Sequence, residues 1–186
     1  MNQYLTKDRT SQLVELCRLG NNKAQYELYN MYVKAMFNTA LRIVSLREEA
    51  EDVIQESFLD GFLKIDMFRG ESTFGAWLKS IVVNKAIAKL RAQKMFFEEI
   101  DNVNGGDIED IEEPDFEETN DSVSKIKDAL NILPNGFRLV LSLYLFEGYD
   151  HQEIGQILGI NEVTSRSQYL RGKAKLIEIL KEKQWH

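Results

Sequence analysis

The chain has 186 residues, 44% of them hydrophobic, with 23 basic and 30 acidic side chains for a formal charge of −7. That length fits one large domain or two small ones, and no apolar run approaches the ~18 residues a bilayer span requires. The polar start MNQYLTKDRT has no apolar core followed by a small-residue cleavage site, so neither membrane insertion nor secretion is expected and the cytoplasm is the predicted location. The single cysteine, Cys17, can form no internal disulfide, and its place between Leu16 and Leu19 predicts burial.

In chain order, apolar residues first recur at helical spacing through Tyr29, Val33, Met36, Ala40 and Ile43, then through Ile54, Phe58, Phe62 and Ile65 on a helix read over 47–65. Beside that second stripe, Asp52, Glu56, Leu59 and Leu63 are spaced four, three and four apart, which interleaves carboxylates with leucines. Such a face suits a partner's basic helix, whereas a wider local core would need the leucines buried. The aromatic segment Phe68, Phe74 and Trp77 follows, and most of these residues are expected to be at least half buried.

A helix read over 83–94 places Val83, Ala86, Ile87 and Leu90 on one arc and Asn84, Lys85, Ala88, Lys89 and Arg91 on the other. Aromatics beside a cationic surface suit unpaired bases, which stack on rings while lysines follow the backbone.

Residues 98–122 then hold twelve acids and no Lys or Arg, together with Asn104-Gly105-Gly106 and Pro114. They read as a flexible acidic linker between domains at 1–97 and 123–186. Outside it the balance is 23 basic to 18 acidic, concentrated in 72–97 and 163–177, neither of which contains an acid. The negative total therefore conceals two cationic segments.

Beyond the linker, 123–133 and 137–146 read as helices, with Pro134 near the start of the second. Asp150 with Glu153 forms a candidate capping box, Ile154 and Leu158 give an apolar edge, Gly159 suits a left-handed turn and Asn161 can cap the next helix. This is a helix-turn-helix, whose second helix enters the major groove. On it, Thr164, Ser167, Gln168, Arg171 and Lys175 share a polar face, with Tyr169, Leu176 and Leu180 opposite. The fold class is all-α, in two small helical domains.

These segments together resemble bacterial sigma factors of the small extracytoplasmic-function (ECF) group. The run from Ala50 through Asp52, Gln55 and Glu56 to Leu59 resembles the helix by which that family grips the clamp of RNA polymerase. Phe68-Arg69-Gly70-Glu71-Ser72-Thr73-Phe74-Gly75-Ala76-Trp77-Leu78, continuing to Asn84 and Leu90-Arg91, resembles the stretch that melts and reads the -10 promoter element. Leu133-Pro134, Glu153 to Ile160 and Thr164 to Leu176 resemble the domain that reads the -35 element.

The resemblance implies that core RNA polymerase is bound by Asp52, Gln55, Glu56, Leu59 and Leu63. It gives the -10 element to Trp77, Asn84, Lys85, Ala88, Lys89 and Arg91, and the -35 element to Thr164, Arg166, Ser167, Gln168, Arg171 and Lys175. A cognate anti-sigma factor is a further implied partner. Two departures stand out: Ser165 where the family often has Val, and Gly172 where it often has Ala.

A stand-alone helix-turn-helix regulator is the alternative, although it would require neither the acid-leucine face nor a second cationic helix. An enzyme finds no support. The only histidines are His151 and His186, Cys17 is remote from both in sequence, no phosphate-binding glycine motif occurs, and the linker lacks calcium-loop spacing, so no cofactor or metal is expected.

Overall fold

A computed structural model describes residues 2–92 and 120–182, and every element in them is helical. Two compact units result, with the boundary at Lys89 and Leu90. The first contains α1 (Asn2–Arg18), α2 (Asn22–Val44), α3 (Arg47–Leu63), a 3-10 turn (Ile65–Met67) and all but the last three residues of α4 (Phe74–Ala92). Helix α1 was not foreseen in the sequence; it buries Leu13, Val14 and Cys17, which confirms the expected burial of the thiol.

Local chemistry sets these helix ends. Asn21 Oδ1 accepts from the amides of Lys23 and Ala24 at 3.0 and 3.1 Å, which satisfies two of the donors left open at the start of α2. Ser45 stops that helix in the left-handed region at φ 67°. Glu48 and Glu49 place negative charge in the first turn of α3, where the helix dipole favours it. The helix read over 83–94 in fact begins at Phe74, because Thr73 Oγ1 accepts the Ala76 amide at 3.1 Å and places Phe74 and Trp77 in its first turn.

The core of this unit joins Leu28, Ala40 and Ile43 of α2 to Val53, Ile54 and Phe58 of α3 and to Phe74, Leu78, Val82 and Ala86 of α4, all at most 3% exposed. Two glycines permit the close approach of helices. A Cβ on Gly61 would stand 3.2 Å from Leu78 Cδ1, and one on Gly75 would stand 2.8 Å from the Tyr32 ring.

The second unit contains α5 (Asn120–Ile132), α6 (Asn135–Leu145), α7 (His151–Leu158) and α8 (Glu162–Glu182). Ala129, Leu130, Leu133, Leu141, Leu176 and Ile179 form a core cluster, with Ile126, Phe146, Tyr169 and Leu180 packed against it. The capping box is present: Asp150 Oδ1 accepts the Glu153 amide at 2.8 Å, and Glu153 Oε2 accepts the Asp150 amide at 2.9 Å. Gly159 makes the turn at φ 71°, and Asn161 Oδ1 caps α8 through the Thr164 amide at 2.7 Å. Of the segment read as a flexible linker, 98–119 lies outside the described residues, and 120–122 are not linker but the first residues of α5.

Candidate functional site

Helix α3 presents one face to the core through Ala50, Val53, Ile54, Ser57 and Phe58, which rotates Asp52, Gln55, Glu56, Leu59 and Leu63 outward. Leu59 is 61% exposed and Leu63 74%, so neither widens the core. Two large apolar side chains held in water beside carboxylates form a surface that gains by being covered. Beside Gln55, Tyr29, Val33, Phe37 and Ile54 help line an open cleft of about 310 Å³ between α2 and α3.

The acids of α3 are paired with the cations of α4. Lys89 Nζ lies 2.7 Å from Asp52, and Lys85 Nζ lies 3.3 Å from Glu56 and 3.1 Å from Asp60. Asp60, which sequence reading passed over, also meets Lys64 at 3.2 Å. The hydrogen bond from Lys85, followed by that from Lys64, holds the Asp60 carboxyl below its ordinary range. Asp60 in turn raises Lys85 above its own, with Glu56 adding to the effect. The lysines and acids assigned to two different partners thus touch one another, across sequence separations of 29 and 37 for the Glu56 and Asp52 pairs, which no local pattern could have signalled.

Asn84, Ala88 and Arg91 are exposed on α4, while Val83, Ala86, Ile87 and Leu90 are buried, as the two-arc reading requires. Phe74 is buried at 3%, and Phe68 and Trp77 are mostly covered. Their rings pack as a triad, with Trp77 5.4 Å from Phe68 and 5.7 Å from Phe74. Arg18 was missed in the sequence: its guanidinium donates to the Phe68 carbonyl and so ties α1 to the segment that delivers these rings.

In the second unit the structure corrects one residue. Gln168 is only 1% exposed and does not belong to the outward face of α8. The inward stripe is Ser165, Gln168, Gly172, Leu176 and Ile179, spaced three, four, four and three apart. Because its first members are polar or lack a side chain, apolar periodicity places the phase of the helix wrongly by a fraction of a turn. The outward side is centred instead on Arg166, Leu170 and Val163, with Leu170 43% and Val163 72% exposed.

Thr164, Ser167 and Arg171 are half-buried at the margin of that face, and Lys175 is exposed. Arg166 pairs with Glu162 at 2.6 Å, and Lys175 pairs with Glu178 at 2.7 Å, which raises the lysine above its ordinary range. Gly172 has a packing reason: a Cβ there would meet Phe137 Cβ at 3.0 Å and Leu141 Cδ1 at 3.1 Å.

A capped helix-turn-helix in one unit, with an aromatic and cationic helix beside an acid-leucine face in the other, defines a two-domain helical protein of the DNA-binding class. Residues 28–95 match Sigma-70 region 2, and residues 124–176 match Sigma-70, region 4. An ECF RNA polymerase sigma-E factor from Haemophilus influenzae is 31% identical over 170 residues, covering 87% of this chain and 89% of its own. The RNA polymerase sigma-H factor of Pseudomonas aeruginosa is 29% identical, covering 95% of this chain and 96% of its own. The chain therefore belongs to the sigma-70 family, in the ECF group of RNA polymerase sigma factors, which direct transcription initiation and carry no catalytic activity.

Among solved structures, the fold is shared by the sigma factor RpoE of Bartonella quintana, solved in complex with the anti-sigma factor NepR. Its TM-score is 0.56 at 23% identity, over 86% of this chain and 98% of that one. CnrH, solved with the cytosolic domain of CnrY, gives a TM-score of 0.56 at 21% identity, over 95% of this chain and 99% of that one. Among the described residues no helix is long and apolar enough to cross a membrane.

Proposed function

We propose that this sigma factor binds core RNA polymerase through Asp52, Gln55, Glu56, Leu59 and Leu63. Trp77, Asn84, Lys85, Ala88, Lys89 and Arg91 engage the -10 element, and Thr164, Arg166, Ser167, Arg171 and Lys175 engage the -35 element. The observation that carries this reading is the exposure of Leu59 and Leu63 beside three exposed polar side chains on a helix whose other face is buried. A regulator acting alone would have no use for that surface.

Asn84 offers both a donor and an acceptor to an exposed base edge, the small Ala88 lets backbone approach, and the neighbouring cations hold phosphates. Arg166 and Arg171 can reach guanine edges in the major groove, whereas Lys175 is a point charge suited to phosphate. The factor acts in the cytoplasm, and the RpoE relative solved with the anti-sigma factor NepR supports a cognate anti-sigma factor for this one as well.

Reconstitution with core polymerase, followed by sequencing of the transcripts it starts, tests this directly. New start sites sharing two upstream elements are expected. Asp52→Lys with Glu56→Lys should weaken the polymerase complex while leaving helix content unchanged, and undiminished binding by that double variant would remove this surface. For the -10 element, residues 1–97 should prefer a single strand over the same sequence as duplex, because opening costs a few kcal/mol per step. Fluorescence anisotropy on the two oligonucleotides decides it, and equal or stronger duplex binding would refute strand opening.

A further inference from the structure

Ser165 is completely inaccessible, and a buried hydroxyl is costly unless it is hydrogen-bonded. His151 Nδ1 lies 3.0 Å from its Oγ. The imidazole is itself held on two sides, stacked on Tyr144 of α6 at 4.7 Å and 15°, and met edge-on by Tyr169 of α8 at 5.5 Å and 68°. His151 is also the first residue of α7, immediately after Asp150, whose capping box with Glu153 fixes the start of that helix. A rigid helix start, a clamped ring and a single polar bond therefore converge on the first turn of α8.

We propose that His151 is a positioning residue for DNA reading: through Ser165 it sets the rotation of α8 about its own axis, and with it which side chains face the groove. The inference rests on α8 being the base-reading helix. Its physical basis is that the inward stripe begins with Ser165 and Gln168 rather than with large apolar residues. Apolar packing is non-directional and tolerates rotation of a helix, whereas a buried hydrogen bond is satisfied over only a narrow range of angles. Turning α8 by one residue, about 100°, would strand the hydroxyl and carry Arg166 away from the outward face.

The test uses the full chain assembled with core polymerase, and as probe a duplex pool randomised across the -35 region upstream of a start site mapped with the unaltered protein. His151→Phe keeps a ring and loses the bond, and Ser165→Ala loses the hydroxyl. His151→Asn keeps a polar atom near the Nδ1 position. Each of the first two should reduce the preference for selected over random duplex by about three- to tenfold, the span of one hydrogen bond. Their combination should be no worse than the more damaging single change, and His151→Asn should recover part of the loss.

Additive losses, or an equal fall on selected and random duplex, would show that the pair merely stabilises the domain and would overturn the proposal. Selection of no sequence by the unaltered protein would overturn the base-reading assignment of α8, and the positioning role with it.

Discussion

Gly155 shows how little room a single position can leave. A Cβ there would stand 2.8 Å from the Ile160 carbonyl oxygen, which is backbone at the turn between α7 and α8. Gly155→Val should therefore cost about 2 to 3 kcal/mol by overpacking, read as a lowered melting temperature of the second unit. His151 gives a pH-dependent counterpart. Burial lowers its pKa from the ordinary 6.5; the nearby Arg166 adds to this, Glu162 and Asp150 oppose it, and the Tyr144 and Tyr169 rings cover the imidazole. The unfolded chain then takes up the proton first as pH falls through about 6.5, so stability present above that pH is lost on the way down to the depressed folded value. Melting temperatures measured between about pH 7.5 and 5.5 should fall for the natural chain and fall less for His151→Phe. Equal acid slopes in the two proteins would count against a neutral imidazole shielded by the two rings.

Pairing of α3 with α4 links the two surfaces of the first unit. Exposed ion pairs are individually worth about 0 to 1 kcal/mol, so the Lys85 and Lys89 contacts contribute little to stability. Their consequence lies in competition, since Asp52 and Glu56 cannot fully serve a basic partner while they hold lysines, and the lysines cannot fully serve phosphates. Coupling of this kind is reciprocal. Lys85→Met with Lys89→Met should tighten binding to core polymerase by about two- to fivefold and weaken binding to single-stranded -10 oligonucleotide, with melting temperature nearly unchanged. A polymerase titration with labelled protein measures the first effect; weaker binding by the double variant would mean that the lysines hold α3 in a binding-competent shape. The same scale explains what the sequence made legible. Caps at Asp150, Gly159 and Asn161 act within four residues and were readable, whereas the phase of α8 depends on neighbours that tolerate a buried Ser165, Gln168 and Gly172.

Charge at the scale of the molecule is set by the acids of 98–122. Replacing the twelve by Asn and Gln would move the formal charge from −7 to +5. Long-range repulsion of DNA and competition for the cationic segments would both disappear. The affinity of the polymerase-free chain for duplex DNA should rise, and rise more at low salt, where screening is weak. A filter-binding or anisotropy series against salt measures it, and an unchanged affinity would show that these carboxylates do not regulate DNA access.

The sequence by itself determined the all-α class, the helix-turn-helix with its caps, the buried arc of α4 and the outward acid-leucine face of α3, since each depends on spacing along one helix or chemistry within a single turn. Tertiary structure alone decided that Lys85 and Lys89 meet Glu56, Asp60 and Asp52, that Arg18 holds the Phe68 carbonyl, and that Gln168 turns inward while His151 finds Ser165. Those outcomes depend on which helix lies beside which. Polar side chains take their partners from that neighbourhood, and apolar periodicity carries no information about them.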